Sequence, residues 1–203
     1  FIVETPEEVW LKAGLDRMSQ EEGIRFCEQL FAAQLDGHAL LTNAGHLRGS
    51  AIWIRFPRIV CGNWVHRIDV DGKVVPVVLM GDAAHTAHYS IGSGTKLALE
   101  DAIALAAALR DTGIVDVPRA LGAYEEGRRL EVLKLQRAAK TSRSWFEDAR
   151  RWTGQTPVRF TFNLMTRSRR ITYDNLKLRD PRLVQALDAQ VAAEEGPPSP
   201  PAF

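Results

Sequence analysis

The chain has 203 residues, with 45% hydrophobic residues and 26 Lys and Arg against 25 Asp and Glu, a composition typical of an ordinary globular protein. No run approaches the roughly 18 apolar residues of a membrane span, and no secretory signal is present, so the sequence argues against membrane and secreted proteins. Cys27 and Cys61 fit neither a disulfide framework nor a zinc site, and we expect reduced thiols in a cytoplasmic protein.

The net charge of +1 conceals an uneven distribution of charge along the chain. From Arg119 to Arg182 there are 16 Lys and Arg against 7 Asp and Glu, and the rest of the chain is acidic. Such a block can bind nucleic acid, an anionic ligand or a partner, or it can be solvated surface that pairs with acids of the same chain. We favour the solvated or intramolecular interpretation. Because no helix-turn-helix or aromatic-interleaved pattern accompanies the charge, we expect no nucleic-acid partner.

The N-terminal part of the chain predicts two helices. Phe1 to Glu4 has the pattern of a strand already under way, which indicates a piece of a longer protein. Thr5-Pro6-Glu7-Glu8 is a capping-box pattern that predicts a helix to about Lys12. Ser19-Gln20-Glu21-Glu22 repeats that pattern before apolar residues at helical spacing, so a second helix is predicted to end near Gly37.

The middle of the chain has the patterns of extended structure. Alternating apolar residues between Ala51 and Asp69 predict strands, and Asp69 to Lys73 is typical of a hairpin turn. The continuous apolar run from Val74 to Met80 predicts a strand buried on both faces.

The second half of the chain predicts mainly helices. One helix is predicted from Thr95 to Leu109, and a long helical stretch from Pro118 to about Trp152. The long stretch carries an apolar stripe that includes Leu121, Tyr124, Val132, Leu135 and Ala139. Shorter elements are predicted at residues 161–166 and 175–184.

The segment from Val77 to Ala102 carries the chemistry. It predicts a buried strand that ends in Gly81-Asp82, then a glycine-bearing loop and a helix that begins near Thr95. An aspartate at the end of a strand can accept hydrogen bonds from ligand hydroxyls, and a helix N-terminus offers N–H groups to an anion. Glycines at positions 92 and 94 allow the backbone to approach a ligand closely.

Three common motifs fit this segment poorly. Gly92-Ser93-Gly94 begins like a dinucleotide-binding fingerprint, but Leu97 stands where the third glycine belongs. Gly94-Thr95-Lys96 resembles the end of a P-loop, but Leu97 replaces the Ser or Thr that would hold magnesium. Four potential ligands lack a metal-binding spacing, and we predict no metal site among them: His85, His88, Glu100 and Asp101.

A family resemblance accounts for the segment better. Gly81-Asp82-Ala83-Ala84-His85, followed by Gly92-x-Gly94 and a helix with Asp101-Ala102, resembles the second FAD motif of the flavin-dependent aromatic hydroxylases, the p-hydroxybenzoate hydroxylase group. Residues 88–102 are most similar to the subgroup that acts on aryl-CoA thioesters, the salicylyl-CoA and 2-aminobenzoyl-CoA monooxygenases. Residues 166–168 and 174–180 are similar to its C-terminal part, so the resemblance covers residues 1 to about 185.

The resemblance implies FAD as cofactor, with NADH or NADPH as reductant. Oxygen would add at the flavin C4a, and the hydroperoxide would hydroxylate an aromatic small molecule, with an aryl-CoA thioester as the expected class. Asp82 would bond a ribityl hydroxyl, and the loop from Gly92 would wrap the flavin ring. The implied cofactor-binding residues are Gly81, Asp82, Gly92, Ser93, Gly94, Thr95, Lys96 and Leu97.

Two positions depart from the broader hydroxylase pattern. His88-Tyr89 replaces the usual Pro-Pro beside the flavin, and Lys96 replaces the usual Asn at the helix start. His88 and Tyr89 are the candidate catalytic residues near the ring substrate, with simple packing as the alternative. Lys96 would bring a cation near the flavin pyrimidine edge.

The implied architecture is α/β, a partial FAD-binding monooxygenase fold. It comprises a substrate-side sheet and helices (1–69), the GD-motif segment (70–115), a helical C-terminal region (116–193) and a Pro-rich tail or linker (194–203). Since no GxGxxG unit is present, the chain resembles the C-terminal portion of the monooxygenase module. The sequence leaves open whether the protein forms a homodimer, and whether a reductase domain is fused to it or binds it as a partner. The alternative is a non-catalytic fragment or scaffold that needs a partner segment to bind FAD.

Overall fold

The computed structural model describes residues 1–41 and 53–195, and the chain divides into two compact units after Phe56. The first unit contains three short helices, α1 (Glu7–Lys12), α2 (Gln20–Leu30) and α3 (Ala32–Leu35). The second predicted helix is divided at Phe31 into α2 and α3, so its prediction as one helix is wrong. The helical segment ends at Leu35, close to Gly37, which has a left-handed φ of +79°.

The two predicted capping boxes have different outcomes. The Ser19 hydroxyl accepts the N–H of Glu22 at 3.2 Å, and the Glu22 carboxylate accepts the N–H of Ser19 at 2.7 Å, so this capping box is confirmed. The box predicted at Thr5 is wrong, because Pro6 occupies the N-cap position of α1 and the Thr5 hydroxyl donates to the Pro6 carbonyl at 3.4 Å. Because Pro6 is the N-cap, the helix begins at Glu7, one residue later than a cap at Thr5 would place it.

The second unit begins with an antiparallel hairpin of β1 (Val65–Val70) and β2 (Lys73–Val78). Val70 pairs with Lys73 across a two-residue turn in which Asp71 and Gly72 have φ values of +53° and +76°. The Asp69 carboxylate accepts the N–H of Gly72 at 2.9 Å. The turn predicted from the Asp-Gly pair is therefore confirmed.

Three predictions about strands are corrected by the structure, and the first is the strand pattern of Phe1 to Glu4, where the structure has no strand. Residues 53–59 form no strand, and the predicted strand residues Ala51 and Ile52 lie outside the described residues. In β2, the side chains of Val74 and Val75 are 68% and 39% exposed, so the strand is not buried on both faces. An apolar run shows which side chains favour burial, but the cover must come from other elements. Within the described residues β2 has one neighbouring strand, β1.

The rest of the second unit is helical. The helices are α4 (Gly94–Thr112), α5 (Val117–Glu147), α6 (Pro157–Thr166), α7 (Tyr173–Arg179) and α8 (Pro181–Glu195). Asp116 caps α5 by accepting the N–H of Arg119, and Thr156 caps α6 by accepting the N–H of Arg159. The element predicted at 175–184 is divided at Pro181, which begins α8 because proline favours the first helical turn.

The core of this unit lies where the end of the hairpin and the turn after β2 meet α4 and α5. Its buried residues are Trp64, Ala84, Leu97, Tyr124 and Val132. The Tyr124 hydroxyl donates to the Leu79 carbonyl at 3.1 Å, which fixes α5 against the end of β2. Four residues of the predicted stripe on α5 are buried and Leu135 packs beside them, so the stripe is confirmed.

The mixed architecture of helices and a small sheet agrees with the predicted α/β class. The boundaries 1–69, 70–115, 116–193 and 194–203 stay predictions, and the last segment lies outside the described residues from 196 onward. Among the residues that the structure describes, no helix combines the length and the hydropathy needed to cross a membrane.

Candidate functional site

The turn after β2 packs closely against helix α4. Gly81 opens a 3₁₀ turn (Gly81–Ala83) with a left-handed φ of +56°. A Cβ added to Gly81 would lie 3.1 Å from the Cβ of Ala98, closer than ordinary van der Waals contact. Glycine is therefore required here both for the backbone conformation and for the close approach of the helix.

A buried aspartate on α4 holds this turn in place. Asp101 is fully buried, and its Oδ2 atom accepts the N–H of Gly81 at 2.9 Å and lies 2.7 Å from Nε2 of His85. Its Oδ1 atom accepts Nε–H of Arg128, on α5, at 2.9 Å. One carboxylate thus joins the turn, the loop after it and both long helices. A buried carboxylate is tolerated when it is paired and hydrogen-bonded in this way.

The charge network continues from Arg128 towards the solvent. Arg128 also donates to the Glu100 carboxylate at 3.1 Å, and Glu100 pairs with Lys96 one turn earlier in α4. The bond from Lys96, followed by that from Arg128, holds the pKa of Glu100 below its usual value. The Lys96 ammonium is therefore engaged with Glu100 in this structure, and it is not a free cation at the helix start.

Asp82 is the acidic side chain of the turn that faces solvent. It is exposed, and within the described residues its carboxylate has no hydrogen-bond or ion-pair partner. Its neighbour Gly81 is fixed by Asp101, so the position of Asp82 is set by a rigid backbone. This arrangement presents a carboxylate that is available to accept hydrogen bonds from a ligand.

The loop between the turn and α4 carries two stacked rings. His88 and Tyr89 stack with centroids 4.5 Å apart and planes 25° apart, and Tyr89 is 40% exposed. Gly92 ends the short 3₁₀ turn Tyr89–Ile91 with a φ of +60° and open space around it. The left-handed conformation at Gly92 turns the chain into the start of α4.

The N-terminus of α4 has no side-chain cap. Ser93 occupies the N-cap position, but its hydroxyl donates to the Ile91 carbonyl at 3.1 Å, and the first turn contains no acidic residue. The exposed backbone at Gly92 and the exposed Thr95 lie beside this end of the helix. Uncapped N–H groups and the positive end of the helix dipole suit an anionic or carbonyl group of a ligand.

The predicted site residues fall on two adjoining pieces of backbone. Gly81 and Asp82 lie in the turn, which packs against Ala98 of α4. Residues 92–97 form the end of the loop and the first turn of the same helix. The Leu97 side chain lies in the core, 3% exposed. His85 pairs with Asp101, and among the described residues no group of three or more His, Cys, Asp or Glu side chains is arranged to hold a metal.

Comparisons with known proteins show which enzymes the chain is similar to. No family model matches it. It is 41% identical over 198 residues to the salicyloyl-CoA 5-hydroxylase of a Streptomyces species, covering 93% of this chain and 35% of the relative. It is also 45% identical over 117 residues to the 3-hydroxy-4-methyl-anthranilyl-[aryl-carrier protein] 5-monooxygenase of Streptosporangium sibiricum. That match covers 57% of this chain and 28% of the relative. The chain is homologous to part of the aromatic monooxygenases.

A third monooxygenase agrees with this relationship. The protodeoxyviolaceinate monooxygenase of Chromobacterium violaceum is 38% identical over 149 residues, covering 72% of this chain and 35% of that enzyme. The chain spans about a third of the length of the curated relatives that it matches. The family resemblance expected from the GDAAH segment is thereby confirmed.

Sequence reasoning did not identify the residues that hold the Gly81–Ala83 turn in place. From the sequence, Asp101 is considered as part of the motif and as a potential metal ligand, not as a support for the turn, and Arg128 is not singled out from the basic block. A signal was available, since Asp101 stands in a helix otherwise rich in alanine and leucine, where a charged side chain needs a partner. Nothing in the sequence indicated that the partner would be an arginine 27 residues away.

Proposed function

We propose that this chain supplies the part of an FAD-dependent monooxygenase that holds the ribityl chain and the isoalloxazine ring. The parent enzyme hydroxylates an aromatic ring, carried as an aryl thioester, with NADH or NADPH as reductant and O₂ as the source of the hydroxyl oxygen. The observation that carries the proposal is the exposed Asp82 carboxylate, which has no partner in the described residues. It is presented by a fixed turn that packs against Ala98, one helical turn after the uncapped start of α4.

The chemistry of these groups fits FAD. A ribityl chain offers hydroxyl donors, for which a carboxylate such as that of Asp82 is a strong acceptor. The isoalloxazine pyrimidine edge has carbonyl oxygens and gains negative charge on reduction, which suits the N-terminus of α4. The open, left-handed backbone at Gly92 leaves room for a flat ring to lie against the chain.

In this proposal the protein positions and shields the reactants. FAD, when bound, supplies the redox and oxygen chemistry. Asp82 accepts a ribityl hydroxyl, and the Gly92–Lys96 backbone lies along the ring. His88 and Tyr89 are placed towards the aromatic substrate, where stacked rings exclude water and orient it.

The substrate class rests on the relatives. Two of them are named for aryl groups linked to CoA or to an aryl-carrier protein, and both of those groups are bound through a thioester. We extend that class to this chain, with a benzoyl-CoA type thioester as the first substrate to try. A homodimer, or a reductase domain fused or associated with the protein, belongs to the same proposal.

Titration with FAD tests the role of Asp82. The chain is mixed with FAD, and quenching of flavin fluorescence is followed for the wild type, Asp82→Asn and Asp71→Asn. Asp71 is the matched control, because it is an exposed aspartate in the hairpin turn, away from the site. We expect Asp82→Asn to weaken binding roughly ten- to a hundredfold, the value of one charged hydrogen bond, with no change for Asp71→Asn. If Asp82→Asn bound FAD as tightly as Asp71→Asn, the assignment of Asp82 as a ligand of FAD would be overturned.

A second candidate function follows from the exposed apolar surface. Val74 on β2 is 68% exposed, Leu99 and Ile103 on α4 are 61% and 68% exposed, and the chain spans only about a third of its relatives. Such surface suits a fragment or scaffold that needs another segment to bind FAD. A folded chain that shows no quenching of flavin fluorescence, and shows it when the part of a relative that this chain does not match is added, would favour this candidate.

A further inference from the structure

Arg167 joins the C-terminal helices to the loop that carries His88 and Tyr89. Arg167 follows the last residue of α6, and its Nη2 donates to the Ser90 carbonyl at 2.9 Å, across 77 residues of sequence. Its Nε donates to the hydroxyl of Ser142, a fully buried residue of α5, at 3.1 Å, and its Nη1 donates to the Leu164 carbonyl at 2.7 Å. One guanidinium therefore connects the loop, α5 and α6.

The surroundings of Arg167 fix its orientation. Its guanidinium carbon lies 5.2 Å from the centre of the Phe146 ring, a cation–π distance. Its three acceptors are carbonyl or hydroxyl oxygens, and within the described residues no carboxylate forms an ion pair with it. A planar group with three bonds in different directions and a ring beside it has little freedom, so its bond to Ser90 comes from a rigid support.

Two hydrogen bonds of backbone N–H groups around Ser90 lie within the loop itself. The Ser90 N–H donates to Nδ1 of His88 at 3.3 Å, and the Gly92 N–H donates to the Tyr89 carbonyl at 2.8 Å, both within the loop. The Ser90 hydroxyl is buried and makes no hydrogen bond in the described residues, so this side chain does not anchor the loop. The bond from Arg167 is the tie that connects the Ser90 carbonyl to distant helices.

We propose that Arg167 is a positioning residue that holds the His88–Gly92 loop, and with it the His88–Tyr89 ring pair, in place for the aromatic substrate. The inference rests on the proposed function for the role of the ring pair. The hold on the loop rests only on the contacts of Arg167.

Hydrogen exchange of the chain without cofactor tests the hold on the loop. Arg167→Ala is compared with Arg159→Ala, the control on α6, where Arg159 pairs with Glu194 at the surface. We expect amide exchange at residues 88–92 to be at least roughly tenfold faster in Arg167→Ala, because a charged hydrogen bond is lost. Arg159→Ala should leave these amides unchanged. Unchanged exchange in Arg167→Ala, or a rise that is equal throughout α5 and α6, would overturn the inference.

Two further variants separate positioning from general stability. Ser142→Ala removes a bond between Arg167 and α5 but leaves the bond to Ser90, so exchange in the loop should stay near the wild-type rate. Arg167→Lys keeps one donor for the Ser90 carbonyl and should restore part of the protection. Loop exchange in Ser142→Ala as fast as in Arg167→Ala would show that any loosening of α5 exposes the loop, and would overturn the inference.

A measurement on the FAD-loaded full-length enzyme connects the loop to the substrate. The ratio of hydroxylated product to NADH or NADPH consumed should fall several-fold in Arg167→Ala, because misplaced substrate-facing groups waste reductant. A wild-type ratio in Arg167→Ala would overturn the role towards substrate. A wild-type enzyme that neither binds FAD nor hydroxylates an aromatic substrate would contradict the proposed function. The hydrogen-exchange result would still decide whether Arg167 holds the loop.

Discussion

Nε2 of His85 lies 2.7 Å from Oδ2 of Asp101, and both side chains are almost fully buried. The same oxygen accepts the N–H of Gly81, and the other carboxylate oxygen accepts from Arg128. The negative charge of Asp101 is thus satisfied on every side by groups of the turn, the loop and α5. This buried network places the exposed Asp82 carboxylate, since Asp82 directly follows the glycine that Asp101 holds.

Replacing Asp101 by Asn should destabilise the protein strongly. The change keeps the shape of the side chain but removes the charge that compensates Arg128, and disrupting one partner of a buried pair costs about 3–5 kcal/mol. The free energy of unfolding, measured by urea denaturation and circular dichroism, should fall by roughly that amount.

Glu100→Gln provides the matched comparison for Asp101→Asn. Glu100 is the adjacent acid and bonds the same arginine, but about a third of its side chain is exposed. Its replacement should cost about 1 kcal/mol or less, as for other exposed ion pairs. If the two variants lost equal stability, the buried carboxylate would not be the centre of the network.

Gly81→Ala should be destabilising for two separable reasons. The left-handed φ of +56° costs about 1–2 kcal/mol for a residue with a Cβ, and the contact 3.1 Å from the Ala98 Cβ adds strain. Gly72 has a similar φ of +76° but open space around it, so Gly72→Ala should lose only the conformational part.

Gly62→Ala completes this series as the control. Gly62 has open space around it and no left-handed backbone, so its replacement should change the free energy of unfolding by less than about 0.5 kcal/mol. The expected order of destabilisation is Gly81, then Gly72, then Gly62, measured by thermal or urea unfolding. Equal losses at Gly81 and Gly72 would show that α4 moves away at no cost.

The sequence predicted local structure well where the signal is local. The Ser19–Glu22 capping box, the Asp71-Gly72 turn and the apolar stripe on α5 depend on residues close to one another in the chain. The pairing of Asp101 with Arg128 depends on how two helices pack, and no local pattern reports it. The exposure of β2 was mispredicted for the same reason, since a run of valines does not say whether another element covers it.

The residues of the candidate site also differ in whether the sequence predicted them. Asp82 and Gly92 were predicted from the motif and lie on exposed backbone in the structure. The supporting residues His85, Arg128 and Arg167 act through contacts that span 16, 27 and 77 residues. His85 also belongs to the motif, whereas the two arginines that support the site, Arg128 and Arg167, are identified only by the contacts that folding brings about.

Tyr124 should make the stability of the protein depend on alkaline pH. Burial is the main cause that raises its pKa to about 12, and the charge of Asp101 adds to it. Since the unfolded pKa is about 10, the stability from this residue is fully present below pH 10 and is lost as the pH rises towards 12. The loss approaches about 2–3 kcal/mol at the upper end of that range.

Tyr124→Phe isolates this effect. Near neutral pH the variant should be less stable than the wild type by about 1 kcal/mol, because it lacks the hydrogen bond to the Leu79 carbonyl. Above pH 10 the difference should narrow and then reverse, because phenylalanine does not titrate. Urea unfolding of both proteins across this range measures the difference, and a constant difference would contradict the raised pKa.

The two helix starts in the N-terminal unit offer a direct test of the capping geometry. Ser19→Ala removes the hydroxyl that accepts the N–H of Glu22 and should cost about 1 kcal/mol of unfolding free energy. Thr5→Ala should cost less than about 0.5 kcal/mol, because Thr5 does not cap α1. Helicity by circular dichroism and urea unfolding measure both changes. A loss in Thr5→Ala as large as that in Ser19→Ala would restore the cap that the sequence predicted at Thr5.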